Sequence, residues 1–179
     1  MNLPQTTAEA VARYRTLVVE GHEGIRRTPV FAELARAGFL LRRPPGGLHH
    51  LDPTLPYREL LSAPGRLVIE GGIIRELVYG PLRRGRSRVT WIQALDHAEA
   101  VAERDGAMVH LVGGEHGDDD SETVAATLAY ARVFGTLAQH VPVVTIDAAE
   151  LPAEPGRRIR APASRQSQLR QSARQLTVG

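Results

Sequence analysis

The sequence predicts an α/β domain with a mostly parallel β-sheet covered by helices on both faces. Three observations carry this expectation. Short, valine-rich apolar runs recur at 16–20, 66–70, 107–112 and 141–147. Segments with helical spacing of apolar residues separate them, and strands that alternate with helices pair in parallel and are buried on both sides. The chain of 179 residues is long enough for one domain with a sizeable core, and its 42% hydrophobic content is ordinary for a globular protein.

The elements follow in order. Thr16-Leu17-Val18-Val19-Glu20, bounded by Gly21, reads as a buried strand. Residues 29–37 read as a helix with Val30, Phe31, Leu34 and Ala37 on one face and Gly38 as its stop. In this reading Thr28 is its N-cap and Pro29 its first residue. Phe39-Leu40-Leu41 is a short second strand. The stretch 42–56, rich in proline and glycine, is a loop, and 57–62 is at most a short helix.

Residues 66–70 form the next strand, ended by Gly71-Gly72. Thr90 caps a helix to about 105, with Ile92, Leu95 and Val101 on its core face. A strand at 107–112 leads to an acidic loop at 113–120. Ser121 caps a helix to about 139, and the last strand has Pro142 among its first residues, where proline is tolerated. Residues 1–149 are therefore read as the domain and 150–179 as a basic tail, because the six arginines after Glu150 are accompanied by little apolar material. A short helix at 167–176 within that tail is compatible with its composition.

Composition excludes several chemistries. All 22 basic residues are arginine, so no mechanism that needs a lysine ammonium or a Schiff base operates here. There is no cysteine, which rules out disulfides and thiolate metal sites. No apolar run approaches the ~20 residues of a membrane span, and residues 1–12 lack the basic-then-apolar order of a secretory signal. The expected location is the cytoplasm, with no membrane partner. The net charge of +2 does not by itself imply a nucleic-acid partner.

The first strand runs into Gly21-His22-Glu23-Gly24-Ile25-Arg26-Arg27-Thr28 and then a helix, the context of a phosphate-binding loop. Against G-x-x-x-x-G-K-[ST], Gly21 and Thr28 fit, whereas Arg26 stands at the second glycine and Arg27 at the lysine. A second stretch, Leu77-Val78-Tyr79-Gly80-Pro81-Leu82-Arg83-Arg84-Gly85-Arg86-Ser87-Arg88, carries Y-G-P followed by R-G-x-S-R. Together with V-V-E-G-x-E-G at 18–24, Tyr130 and P-V-V-x-x-D at 142–147, it resembles thymidylate-kinase-like P-loop deoxynucleoside monophosphate kinases of bacteria and their phages. The resemblance covers about residues 15–148. It implies a P-loop kinase-type, three-layer α/β/α fold, and a remnant nucleotide-binding loop at Gly21, Glu23, Gly24, Arg26, Arg27 and Thr28.

The chain departs from that pattern where the chemistry resides. In the family, the loop wraps the β-phosphate with backbone N–H groups, and a lysine bridges the β- and γ-phosphates. Arg27 keeps the charge in a larger, planar fork. Arg26 adds a Cβ where the turn needs none, and Pro29 lacks the amide that would face phosphate. Arg26 and Arg27 are expected to point to solvent or to a carboxylate such as Glu23. Where the resemblance implies an Asp-Arg pair after the third strand, this chain has Gly71-Gly72, which can neither organise a metal nor hold a substrate phosphate. Glu70 is adjacent, but alternation turns it to the opposite face.

The resulting expectation is a catalytically impaired kinase scaffold that serves as a binding or interaction module, with a nucleotide or other phosphate-bearing ligand and a homodimer or protein partner as candidate associations. One alternative is an active deoxynucleoside monophosphate kinase, which would use Mg and ATP. The other is a nucleic-acid-binding or assembly protein that uses Arg83, Arg84, Arg86, Arg88 and the tail from Arg157 to Arg174. The remaining clusters have simpler readings. His49, His50 and Asp52 lack a matched pair of metal ligands. Glu115, His116, Asp118, Asp119 and Asp120 precede a helix start, where the helix dipole favours carboxylates. His110 reads as a core histidine, and there is no G-x-S-x-G for a hydrolase nucleophile. No metal site is predicted.

Overall fold

A computed structural model describes residues 5–44, 52–113 and 121–151. Five strands form one all-parallel sheet: β1 (Thr16–Glu20), β2 (Leu40–Arg42), β3 (Leu67–Glu70), β4 (Gly106–Val112) and β5 (Val143–Asp147), in spatial order β2-β3-β1-β4-β5. The strand β1, buried at all of its positions, sits at the centre, hydrogen-bonded to β3 on one side and β4 on the other. The six helices are α1 (Gln5–Arg13), α2 (Thr28–Arg36), α3 (Leu55–Leu61), α4 (Ile73–Arg84), α5 (Trp91–Ala102) and α6 (Ser121–Leu137). The three-layer α/β/α arrangement is the one expected from the alternation of strands and helices.

Strand alternation divides the core in two. Leu17, Val19, Val68, Val109 and Leu111 pack with Val30, Phe31 and Leu34 of α2 and Val11 of α1. Val18, Ile69 and Met108, which point the other way, pack with α3, α4, α5 and α6. Ala148 and Leu151 are buried in the α1/α2 layer, so packing continues at least to residue 151. The tail reading from 152 onward, with its short helix, falls outside the described residues, as do His49, His50 and the acidic stretch at 114–120.

Several local expectations are corrected. Helix α1 has no counterpart in the sequence reading. The N-cap of α2 is Arg27 rather than Thr28, so Pro29 is the second helical residue, and Phe31 N–H bonds to the Arg27 carbonyl at 3.0 Å. Thr28 is exposed. In α5, Val101 is buried and Leu95 partly so, but Ile92 is 71% exposed and Ala94, His97 and Ala98 form the inner face instead. Thr90 does cap α5, in a capping box with Gln93. The Y-G-P stretch, to which the sequence reading assigned no element, lies inside α4: Gly80 lets Arg86 and Ser87 return against the helix, where a Cβ would stand 2.8 Å from Ser87 Cα. Gly85 then ends the helix at φ +69, a conformation that glycine adopts readily.

Candidate functional site

The topology creates a crevice. The chain leaves β1 through α2 on one face of the sheet and leaves β3, the neighbouring strand, through α4 on the other. Ligands of open parallel sheets bind at such a switch point, outside the carboxyl ends of the strands. A cleft of about 390 Å³ opens there. Six arginines line it: Arg27 from the β1–α2 loop, Arg43 beyond β2, Arg75, Arg83 and Arg84 on α4, and Arg88 after it. Among the described residues two carboxylates line it with them, Glu70 and Glu76, while Tyr57, Tyr79, Pro44 and Pro56 give apolar walls.

The arginines are held by a set of ion pairs. Arg83 donates both Nη1 (3.1 Å) and Nη2 (2.8 Å) to the Glu23 carboxylate, reaches Glu122 at 2.5 Å, and lies 4.4 Å from the Tyr79 ring centroid. Arg75 Nε shares Glu23 Oε1 at 3.1 Å. The Arg83 and then the Arg75 hydrogen bonds hold the Glu23 carboxyl at about 2, well below the usual carboxylate range. Tyr79 links the same node to the loop after β1 by accepting from the Glu23 amide at 2.8 Å. Arg43 Nε bonds to Glu70 at 2.6 Å. Arg84 pairs with Glu76, which also accepts from the Arg88 amide at 2.8 Å. Glu70 thus lies on the cleft wall, in contrast to its expected separation from the site: it ends β3, at the edge of the cleft, and pairs there with Arg43.

In the loop after β1, Arg27 folds back on the backbone: its Nη2 donates to the carbonyls of Gly21 (2.5 Å) and His22 (3.3 Å). This corrects the expectation that Arg27 points to solvent or to Glu23. Arg26 is exposed, as expected, and Glu23 is taken by Arg75 and Arg83. Gly24 adopts φ +88 at the turn. Gly21 packs against Leu111, where a Cβ would lie 2.9 Å from the Leu111 carbonyl oxygen.

Gly71 and Gly72 have a steric reason invisible in the sequence. A Cβ on Gly71 would overlap the Glu20 carboxylate, and one on Gly72 would overlap the Tyr57 hydroxyl. Glu20, at the end of β1, lies directly under the cleft floor at 1% exposure, and its Oε1 accepts from the Ile74 amide at 3.2 Å. The N-terminus of α4, where an anion is favoured, is thereby occupied by a carboxyl of the chain itself. Burial pushes the Glu20 carboxyl up to about 7, against the opposing pull of Arg27, the amides of Ile74 and Arg75, and the Arg75 charge.

Of the predicted anion residues, Arg83, Arg84 and Arg88 meet in the cleft and Arg86 does not. Sequence reasoning missed Arg43, Arg75, Glu76, Tyr57 and the burial of Glu20. Arg75 stands outside the Arg83–Arg88 cluster, and only the helical turn of α4 brings it beside Arg83. His110 is a core residue, stacked 4.4 Å from Phe134, and burial lowers it to about 4. Asp52 accepts from the Thr54 amide and hydroxyl at 2.9 and 2.6 Å, a turn contact. Among the described residues no group of three or more His, Cys, Asp or Glu could hold a metal ion, and no helix is long and apolar enough to cross a membrane. Comparison with protein-family models, with curated proteins and with solved structures finds no match to this chain, so its site is read from its own geometry.

Proposed function

We propose that the protein is a binding module on a P-loop-type scaffold, which takes a phosphate-bearing, nucleotide-sized ligand in the switch-point cleft and does not transfer a phosphoryl group. One observation carries this reading: among the described residues, six arginines and two carboxylates line a cleft of about 390 Å³. That volume lies within the usual range for small-molecule sites, and the arginine fork matches phosphate oxygens in bidentate fashion. The walls of Tyr57, Tyr79, Pro44 and Pro56 supply apolar surface for the remainder of the ligand.

The loop supports the negative half of the reading. Phosphoryl transfer depends on positioning and on neutralising charge around the β- and γ-phosphates. Here Arg27 covers the Gly21 and His22 carbonyls, Pro29 offers no amide, and the floor at Gly71 and Gly72 has no room for an acid or a base. The resemblance to deoxynucleoside monophosphate kinases makes dTMP the first ligand to test.

Calorimetric titration with dTMP, inorganic phosphate and Mg-ATP, together with a coupled assay for ADP release, tests the proposal. The expected result is a dTMP dissociation constant between about 1 μM and 1 mM, or −8 to −4 kcal/mol. Binding should weaken as salt rises, should be lost in Arg75→Ala combined with Arg88→Ala, and should proceed without ADP release. Micromolar binding of Mg-ATP with turnover would establish the active kinase instead. Salt-dependent binding of a generic oligonucleotide, with no affinity for dTMP or phosphate, would establish the nucleic-acid reading.

A further inference from the structure

Two of the cleft arginines have a second anionic neighbour beneath its floor. Arg27 and Arg75 line the cleft, and they are also the two cations whose charge acts on Glu20. Gly71 lies over the Glu20 carboxylate with no space for even a Cβ between them. Among the described residues, the other elements around Glu20 bring no cation that acts on it. Tyr57 on α3 and Tyr130 on α6 face it with hydroxyls, both held in the neutral form first by burial and then by the Glu20 charge. His110, its register partner on β4, is kept neutral by burial and then by His22. From α4 come the Ile74 amide and Arg75 itself. Two buried polar atoms near this carboxylate, the Tyr130 hydroxyl and Arg27 Nε, have no hydrogen-bond partner, so the polar contacts here are not saturated.

We propose that Glu20 and an anion in the cleft compete for Arg27 and Arg75, so that anion binding is accompanied by the uptake of one proton from solvent onto the Glu20 carboxylate. The inference rests on the anion-binding reading above. Its physical basis is that two negative charges sharing two counter-ions across a glycine floor are not both ionised at low cost, and the group already penalised by burial takes the proton. Glu20 is that group, because desolvation has brought it to about 7 before any ligand arrives. By linkage, affinity for the anion then rises as pH falls through neutrality, by at most about tenfold per pH unit for one proton. Gly71 serves this coupling: it sets the distance between ligand and carboxylate to the thickness of one backbone.

Sulfate is the probe, because its own charge does not change between pH 6 and 9. Titration calorimetry in two buffers of different ionisation enthalpy counts the protons exchanged. The expected result near pH 7.5, where a carboxyl at about 7 already holds about a quarter of a proton, is an uptake of up to roughly three-quarters of a proton, with sulfate affinity several-fold higher at pH 6 than at pH 8. Both effects should vanish in Glu20→Gln. Carbon-13 NMR of glutamate-labelled wild-type protein gives a second reading that needs no variant: one carboxyl titrating near neutrality should shift to higher pH when sulfate is added. Sulfate binding without proton uptake, or uptake that persists in Glu20→Gln, overturns this inference and leaves the anion cleft standing. Absence of sulfate binding at both pH values removes the cleft reading and this inference together.

Discussion

Replacing Glu20 with glutamine should stabilise the protein at alkaline pH. The substitution keeps an oxygen for the Ile74 amide, which Glu20 Oε1 accepts at 3.2 Å, and removes a charge from a site that is 1% exposed. The native carboxyl is pushed up to about 7 from an ordinary value of 4.5. Each pH unit of that gap corresponds to 1.36 kcal/mol, so the ionised side chain costs the native state on the order of 3 kcal/mol. Between pH 4.5 and about 7 the native state holds a proton that the unfolded chain has released. Wild-type stability should therefore fall across that window and level off above it, while the glutamine variant escapes this loss. Urea unfolding of both proteins from pH 4 to 9 measures the difference directly. The variant should gain as pH rises, up to roughly 3 kcal/mol above pH 8, and the gain should disappear near pH 4. A difference that does not change with pH, or a variant that loses stability as pH rises, would show that Arg27 and Arg75 compensate the buried charge fully and would refute the reasoning.

Other consequences are equally direct. Gly72→Ala should cost about 1–3 kcal/mol by forcing its methyl onto the Tyr57 hydroxyl. Tyr57→Phe should relieve roughly 1 kcal/mol of that cost in a double-mutant cycle, and equal losses in both backgrounds would disprove the contact. Glu23→Gln frees Arg75 and Arg83 from the carboxylate that now holds them. Phosphate should then bind several-fold more tightly by calorimetry, whereas weaker binding would mean that Glu23 positions the arginines for their ligand. Thr90→Ala removes the acceptor for the Gln93 amide and should lower stability by about 1 kcal/mol in urea titration, with anion affinity unchanged.

The sequence by itself determined the class of fold, because burial on both faces leaves a mark that survives without tertiary context. A parallel strand covered by helices must be apolar throughout, and Thr16–Glu20, Leu67–Glu70 and Gly106–Val112 carry that mark within a residue or so of their observed limits. Local chemistry was also legible where one residue acts on its neighbours, as with Thr90 and its capping box and the missing amide of Pro29. Helix α4, which holds Gly80 and Pro81, has no counterpart in the sequence reading. Only the tertiary structure shows that the glycine makes room for Ser87 from a returning segment. The cleft was legible in part: four clustered arginines were candidates for anion binding, and three of them line it. Arg43 joins them from beyond β2 because the sheet order places β2, β3 and β1 side by side, which no local pattern records, and Arg75 joins them from the first turn of α4. The same holds for Gly71 and Gly72. In sequence they are two missing functional side chains, and in three dimensions a Cβ at either would run into the Glu20 carboxylate or the Tyr57 hydroxyl as they stand, a steric limit set by distant residues that has no signature in the residues that obey it.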